Sequence, residues 1–524
     1  MSNTSAHQSD STRPAADPAA NPATDPATDP ATDRAADPAA AHLRDLIEFV
    51  VASPSSYHAA DVVRRRLVAA GATVVDEAGP FPTGPGAYVV VRGGAVAAWR
   101  VPEALSDAAV PGFRIAGSHT DSPGFRLKPN PASWTLGYAQ AAVEVYGGPL
   151  IGAWTDREIE FAGRVVTRDG AEHLARTGPI ARIPQLAIHL NRGVNDQGLK
   201  LDKQAHTAPV VALADGPAGT GAIAAAIARS AGVDVADLVA WDLITCDTQE
   251  PRTFGIDGDF LASGRLDNLL SVHASLVAFE KMLADDGTSG DSAGKTSAGD
   301  STTDIPATDI PVLVAFDHEE VGSASTTGAA GPFLEDILGR IVGAAVNATV
   351  NPTRGATAGA TRGADPSDTD DGESGSVAPE SESEARGRWF RRSSCLSVDG
   401  AHAVHPNYAG DHEPGHLPRL DGGPVVKVNA NQRYATDAVT QALFERVTAA
   451  AGERIGETIP VQYFVSSNAK PCGSTIGPIT ATRLGIPTVD VGAAMLSMHS
   501  PREMCGVRDP WWLAEILRSY WSGH

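Results

Sequence analysis

Pro311-Val312-Leu313-Val314-Ala315-Phe316 runs directly into Asp317-His318-Glu319-Glu320-Val321-Gly322-Ser323, and the reading of this stretch decides the fold. Its apolar half has the length and β-branched content of a strand buried on both faces, as in a parallel sheet. The acidic half then leaves the carboxyl end of that strand, where open α/β sheets place their ligand sites. Adjacent carboxylates repel each other unless a proton or a cation holds them. Glu319 and Glu320 therefore read either as a general base beside a metal ligand or as a solvated acidic turn.

The same arrangement recurs outward from this stretch. Phe113-Arg114-Ile115-Ala116-Gly117-Ser118 reads as a strand that ends in His119-Thr120-Asp121, a ligand imidazole with a carboxylate placed to orient its ring, or a hydrogen-bonded turn. Ser393-Ser394-Cys395-Leu396-Ser397-Val398 ends at Asp399, with His402 and His405 close behind. Asp267 precedes an amphipathic helix carrying Leu269, Val272, Leu276 and Phe279, and it reads equally well as that helix's cap. Ala494 to Met498 is an apolar stretch that ends in His499. Together His119, Asp267, Glu320, Asp399 and His499 supply two imidazoles and three carboxylates at element ends. One shared carboxylate plus one His and one acidic group for each metal is what a two-zinc hydrolase needs.

The 524 residues exceed one ordinary core, and 42% hydrophobic content suffices for globular folding. A net charge of −22, with no long basic stripe, disfavours nucleic acid and anionic membranes as partners. The four cysteines include no Cys-x-x-Cys pair and fit reduced thiols in a cytoplasmic protein. No transmembrane-length run or signal-peptide order is expected.

Residues 1–40 repeat Asp-Pro-Ala and Ala-Thr-Asp units and read as a disordered tail. Helices are expected around Leu43–Val50 and Ala59–Leu67, and a hairpin around Gly93-Gly94. Residues 41–127 and 256–524 are assigned to one domain, with disordered insertions at about 285–309 and 354–388. Residues 128–255, broken into short strand-like pieces, read as an inserted β-rich domain. Gly219-Thr220-Gly221 reads as a helix start, not a dinucleotide site. Lys427 on Val425–Val428 has an ordinary reading as a snorkelling surface lysine, and His189 as a core or interface histidine.

Gly117-Ser118-His119-Thr120-Asp121-Ser122-Pro123, Gly264-Arg265-Leu266-Asp267-Asn268, Asp317 to Ser323, Asp399 to Tyr408 and Met498-His499-Ser500 resemble, in order, the signatures of the aspartyl aminopeptidase family of zinc metallopeptidases, which are aminopeptidase I-like. The resemblance implies a mixed-sheet α/β/α dizinc exopeptidase domain with an inserted β-rich oligomerisation and lid domain. It implies two Zn2+ per subunit, one held by His119 and Asp399, the other by Glu320 and His499, with Asp267 bridging. Glu319 would be the general base and Asp121 would orient His119; His402, Lys427 and Tyr434 match substrate contacts. His189 matches a histidine that reaches a neighbouring subunit's active site in a homo-oligomer, up to a tetrahedral dodecamer. The implied reaction removes an amino-terminal residue, Asp or Glu, from peptides with a free amino terminus. The alternatives are a dizinc N-acyl amino-acid deacylase and a broad-specificity aminopeptidase. Gly400 departs from the family, which usually has a larger residue there.

Overall fold

The computed structural model describes residues 37–103, 110–216, 221–288, 309–350 and 381–523. The tail to residue 36, Gly219 and Thr220, and most of both polar insertions lie outside the described residues. At the described margins the ordered elements reach further than composition suggested. Helix Pro38–Ala52 starts inside the expected tail, with the Asp37 carboxylate accepting from the Ala39 amide. Helix Leu266–Thr288 runs into the first insertion. Helix Glu382–Arg392 occupies the end of the second, which therefore stops short of Arg388. Its Ala385, Trp389 and Phe390 are buried, a short apolar stripe that the surrounding charges mask in the sequence.

The fold is mixed α/β. A nine-stranded sheet runs in the order Thr73–Val74, Gly86–Arg92, Ala95–Val101, Ile310–Phe316, Phe113–His119, Ser394–Val398, Thr488–Gly492, Val425–Val428 and Gln462–Val465. Its four central strands, from Ile310–Phe316 to Thr488–Gly492, are mutually parallel. Every residue of Ile310–Phe316 is buried, as its unbroken apolar run requires. Phe316 lies opposite His119, so these two strands end level, and the chain beyond Val398 leaves at the same edge. Connections between parallel strands put helices on both faces. One face is covered by Pro38–Ala52, Ser56–Ala69, Leu266–Thr288, Ala438–Ile455 and Asp509–Ser522, whose Trp511 and Trp512 are buried. The other is covered by Phe333–Val350, Glu382–Arg392 and Ile476–Leu484.

The expected β-rich segment forms a second sheet. Strands Gly124–Thr135, Tyr138–Tyr146, Val210–Leu213, Ala181–Arg182, Glu158–Thr167 and Leu238–Asp247 pair in that order, and the last pairs back to the first, which closes a barrel. Phe125, Trp154, Phe161 and Leu243 fill it, with Ile223 and Ile227 of helix Gly221–Ala231 packed on. It begins at Gly124, a few residues before the expected boundary and directly after His119-Thr120-Asp121. The chain re-enters the main body through strand Phe260–Ser263, just before Asp267. Both crossings thus pass the acidic edge of the main sheet.

Phe279 of helix Leu266–Thr288 is fully buried, its ring 5.3 Å from that of Trp521 and nearly perpendicular to it. Phe279→Ala is expected to destabilise the protein by about 3–5 kcal/mol, read from denaturant unfolding.

Candidate metal centre

The parallel strands bring the separated acidic and imidazole residues to one place. His119 is the last residue of its strand, and Asp399 follows Val398 of the next. Glu319 and Glu320 lie in a single helical turn, Glu319–Val321, flanked by left-handed residues His318 (φ 66°) and Gly322 (φ 94°). That reversal turns two consecutive acidic side chains back over the strand ends. Asp267 and Asn268 depart from helical angles at the start of Leu266–Thr288, so Asp267 faces the site and does not cap the helix.

Asp267 stands between the two histidines. Its Oδ1 is 3.3 Å from His119 Nε2, and its Oδ2 is 3.5 Å from His499 Nε2. Asp399 Oδ1 is 3.5 Å from His119 Nε2, and Glu320 Oε2 is 3.4 Å from His499 Nε2. The edge of a tetrahedron with metal–ligand bonds of about 2.0–2.2 Å is roughly 3.3–3.6 Å. Ligand atoms of His119, Asp267 and Glu320 all lie within 4.8 Å of one another. Asp267 Oδ1 and Glu320 Oε1 are buried without a hydrogen-bond partner. Unpartnered buried carboxylate oxygens are costly unless a cation meets them. The donor set and its spacing fit zinc.

The electrostatics lead to the same conclusion. Burial, then the charge of Asp267, pushes the Glu320 carboxyl well above its ordinary range. Burial also raises Glu319, to about 7, with Asp399, Asp121 and Asp267 adding to the effect against His119. Burial opposes charge on His119, yet Asp121, Asp267 and Asp399 hold its imidazole well above the usual range. So many ionisable groups in one buried volume are compatible in their charged forms when cations share the space.

Asp121 organises the supporting layer. Its carboxylate accepts from the amides of Glu319 (3.0 Å) and Glu320 (3.1 Å) and from the Tyr146 hydroxyl (2.7 Å). His119 Nδ1 lies 3.0 Å from the Asp121 backbone carbonyl and 3.4 Å from its Oδ1. The barrel side contributes as well: the Gly148 carbonyl is 3.0 Å from His499 Nδ1, and the Leu150 amide donates to the His499 carbonyl at 2.9 Å.

Lys427 is not a surface lysine. It is 1% exposed, and its ammonium donates to the carbonyls of Asp399 and Gly400, both at 3.0 Å, with Asp399 Oδ2 at 3.5 Å. Its strand lies between two others, and its amine is directed onto the chain at Asp399 and Gly400. Its amine also lies 5.3 Å from the centre of the Tyr434 ring. His402 is exposed, its ring edge-on to Phe464 at 5.5 Å. His189 sits on an exposed turn of the barrel segment, flanked by exposed Ile188 and Leu190, so the expected core setting does not hold. A Cβ on Gly400 would approach the terminal methyl of Met495 to 2.8 Å, a flexible end that can move aside, so this contact does not by itself require glycine.

The sequence reading missed Tyr146, the Gly148 carbonyl and Glu503. Tyr146 and Gly148 belong to the β-rich segment and carry no local signature. Glu503 lies four positions beyond His499, a spacing that draws notice only once strand Glu503–Gly506 is seen to run beneath Asp267.

A buried set of imidazoles and carboxylates at the ends of parallel strands is a site of the kind that metal-dependent hydrolases use. Residues 49–357 and 373–521 match the family described as "Aminopeptidase I zinc metalloprotease (M18)", and the chain belongs to this family. Two relatives called "Probable M18 family aminopeptidase 2" are similar over most of their length. The one from Streptomyces avermitilis is 45% identical over 483 residues, 92% of this chain and 98% of its own. That from Streptomyces coelicolor is 44% identical over 480 residues, 91% and 97% of the two chains. Among solved structures, a chain of the Ape4 and Nbr1 complex superimposes with a TM-score of 0.77 at 30% identity, covering 92% of this chain and 85% of that one. The S. cerevisiae mApe1 dodecamer gives a TM-score of 0.69 at 25% identity, covering 92% and 96%. The protein is accordingly a zinc metallo-aminopeptidase, a hydrolase acting on peptides. Among the described residues, no helix is long and apolar enough to cross a membrane, and all four cysteines are free thiols.

Asp267→Asn replaces one charged oxygen by an amide donor and is expected to lower zinc retained after gel filtration at least tenfold, read by elemental analysis. His318→Ala, whose ring bonds to Ser325 and Thr327, is expected to leave zinc content unchanged.

Proposed function

We propose that the chain binds two zinc ions per subunit, His119 and Asp399 holding one, Glu320 and His499 the other, and Asp267 bridging them. The observation that carries this reading is that the two oxygens of Asp267 each face a different histidine. Zinc at such a site supplies Lewis acidity, which acidifies a water and polarises a scissile carbonyl. Glu319 stands beside the ligands with its carboxylate Oε2 3.9 Å from His119 Nε2. A carboxylate so placed can take a proton from water and return it to the departing amine. Asp121 fixes the backbone that carries Glu319 and the ring of His119.

The substrate is a peptide with a free amino terminus, and the favoured first residue is Asp or Glu, met by His402, Lys427 and Tyr434. A second reading, broad or neutral specificity, draws support from the engagement of the Lys427 ammonium with the Asp399 and Gly400 carbonyls. The subunit forms a homo-oligomer, in line with the dodecamer of the mApe1 relative, and the exposed His189 turn reaches toward a neighbour's site. The barrel serves as the oligomerisation and lid domain. The free thiols accord with a cytoplasmic setting.

Chromogenic Asp, Glu, Leu and Ala amides, free and amino-blocked, test this reading. Cleavage of free Asp and Glu amides that a chelator abolishes is expected; preferential cleavage of Leu or Ala would establish the broad reading, and cleavage of blocked amides a deacylase. Lys427→Met should lower kcat/KM for Glu more than for Leu if Lys427 meets substrate, and equally for both if it serves Asp399 alone. Glu319→Gln is expected to reduce kcat about 10²–10⁴-fold with zinc content unchanged.

A further inference from the structure

We propose that Glu503 is a positioning residue for the metal centre, a buried carboxylate that fixes the backbone of two ligands at once. The inference rests on the reading of this site as a zinc centre. Glu503 is 1% exposed. Its Oε2 accepts from the Asp267 amide at 3.0 Å, and its Oε1 accepts from the His499 amide at 2.8 Å. The two amides belong to segments far apart in sequence, one entering helix Leu266–Thr288 and the other leaving strand Ala494–Leu496. Glu503 stands between them because its strand pairs antiparallel with Phe260–Ser263, in a register that sets Ser263 opposite Glu503.

Both clamped residues are held in conformations that the chain does not favour by itself. His499 has φ 67°, in the left-handed region that a residue with a Cβ disfavours. Asp267 departs from helical angles at a helix start. An amide in such a bend has no helix or ladder carbonyl to meet, and a buried amide without an acceptor is costly. The Glu503 carboxyl group offers one oxygen to each of these two donors. By setting the spacing of the Asp267 and His499 backbones, Glu503 sets how closely the Asp267 Oδ2 and the His499 imidazole converge, 3.5 Å apart. Both of its oxygens are taken up by these two amides.

Glu503→Gln keeps the size of the side chain but turns an NH2 toward one of the two amides, and Glu503→Asp keeps the charge but draws it back by one methylene. Full-length wild type and both variants are stripped of zinc, and zinc is titrated back against a competing chelator. Each variant is expected to bind zinc about 10–100-fold more weakly than wild type, with kcat falling and KM little changed, while the melting temperature of the metal-free protein falls less than that of the zinc-loaded protein. Zinc affinity equal to wild type in both variants would overturn the inference. So would a metal-free melting temperature lowered as far as that of the zinc-loaded protein, or failure of both variants to fold, since each assigns Glu503 to the fold alone. A wild-type protein that takes up no zinc would overturn the metal-centre reading itself, and this inference with it.

Discussion

The structure depends on keeping several carboxylates together out of water. Asp121, Asp267, Glu320 and Asp399 are held within one small volume, with Glu319 beside them and two imidazoles among them. Like charges so placed repel strongly in a poorly polarisable interior. The fold holds them there because the strands that carry them are locked in register by buried apolar runs, and the free energy of that burial does not depend on the charges at the strand ends. Apolar burial thus holds in place a set of charges that repel one another.

The same economy of backbone explains how the barrel and the main sheet meet. The chain leaves the sheet right after His119 and returns right before Asp267, so the crossings are themselves parts of the site. Tyr146 bonds to Asp121, and the Gly148 carbonyl faces His499. Arg265, two residues before Asp267, donates to the carbonyls of Val50 and Ser53 at the end of helix Pro38–Ala52 and reaches Cys246 at the end of a barrel strand. The carbonyl end of a helix is a favourable place for a cation. Arg265 thus ties the amino-terminal helix, the barrel and the Asp267 turn together.

Much of the site was legible because its residues stand where local pattern is strongest. An apolar run followed by a charged residue marks a strand's exit, and His119, Glu320 and Asp399 all have that form. Lys427 shows where such reasoning fails. Nothing adjacent in sequence tells whether the strand Val425–Val428 is at an edge or inside, and the ordinary reading sent its amine to water. Placement between Thr488–Gly492 and Gln462–Val465 buries it instead and turns it onto the carbonyls of Asp399 and Gly400. The helix Glu382–Arg392 was hidden for a related reason, since its three buried residues are outnumbered by charges on its other face.

What the sequence by itself determined is the inventory: which side chains have the chemistry to hold a metal, and that the apolar runs before them form buried strands and helices. These properties belong to single residues and short periods, so they survive without knowledge of neighbours. Tertiary structure alone decided the pairings. That Asp267 faces two histidines, that Asp121 holds the turn of Glu319, and that Glu503 clamps the amides of Asp267 and His499 all depend on which strands lie side by side and in what register. Register is set by the packing of the whole sheet against its helices, a sum over many weak contacts far apart in the chain, and no short stretch carries it.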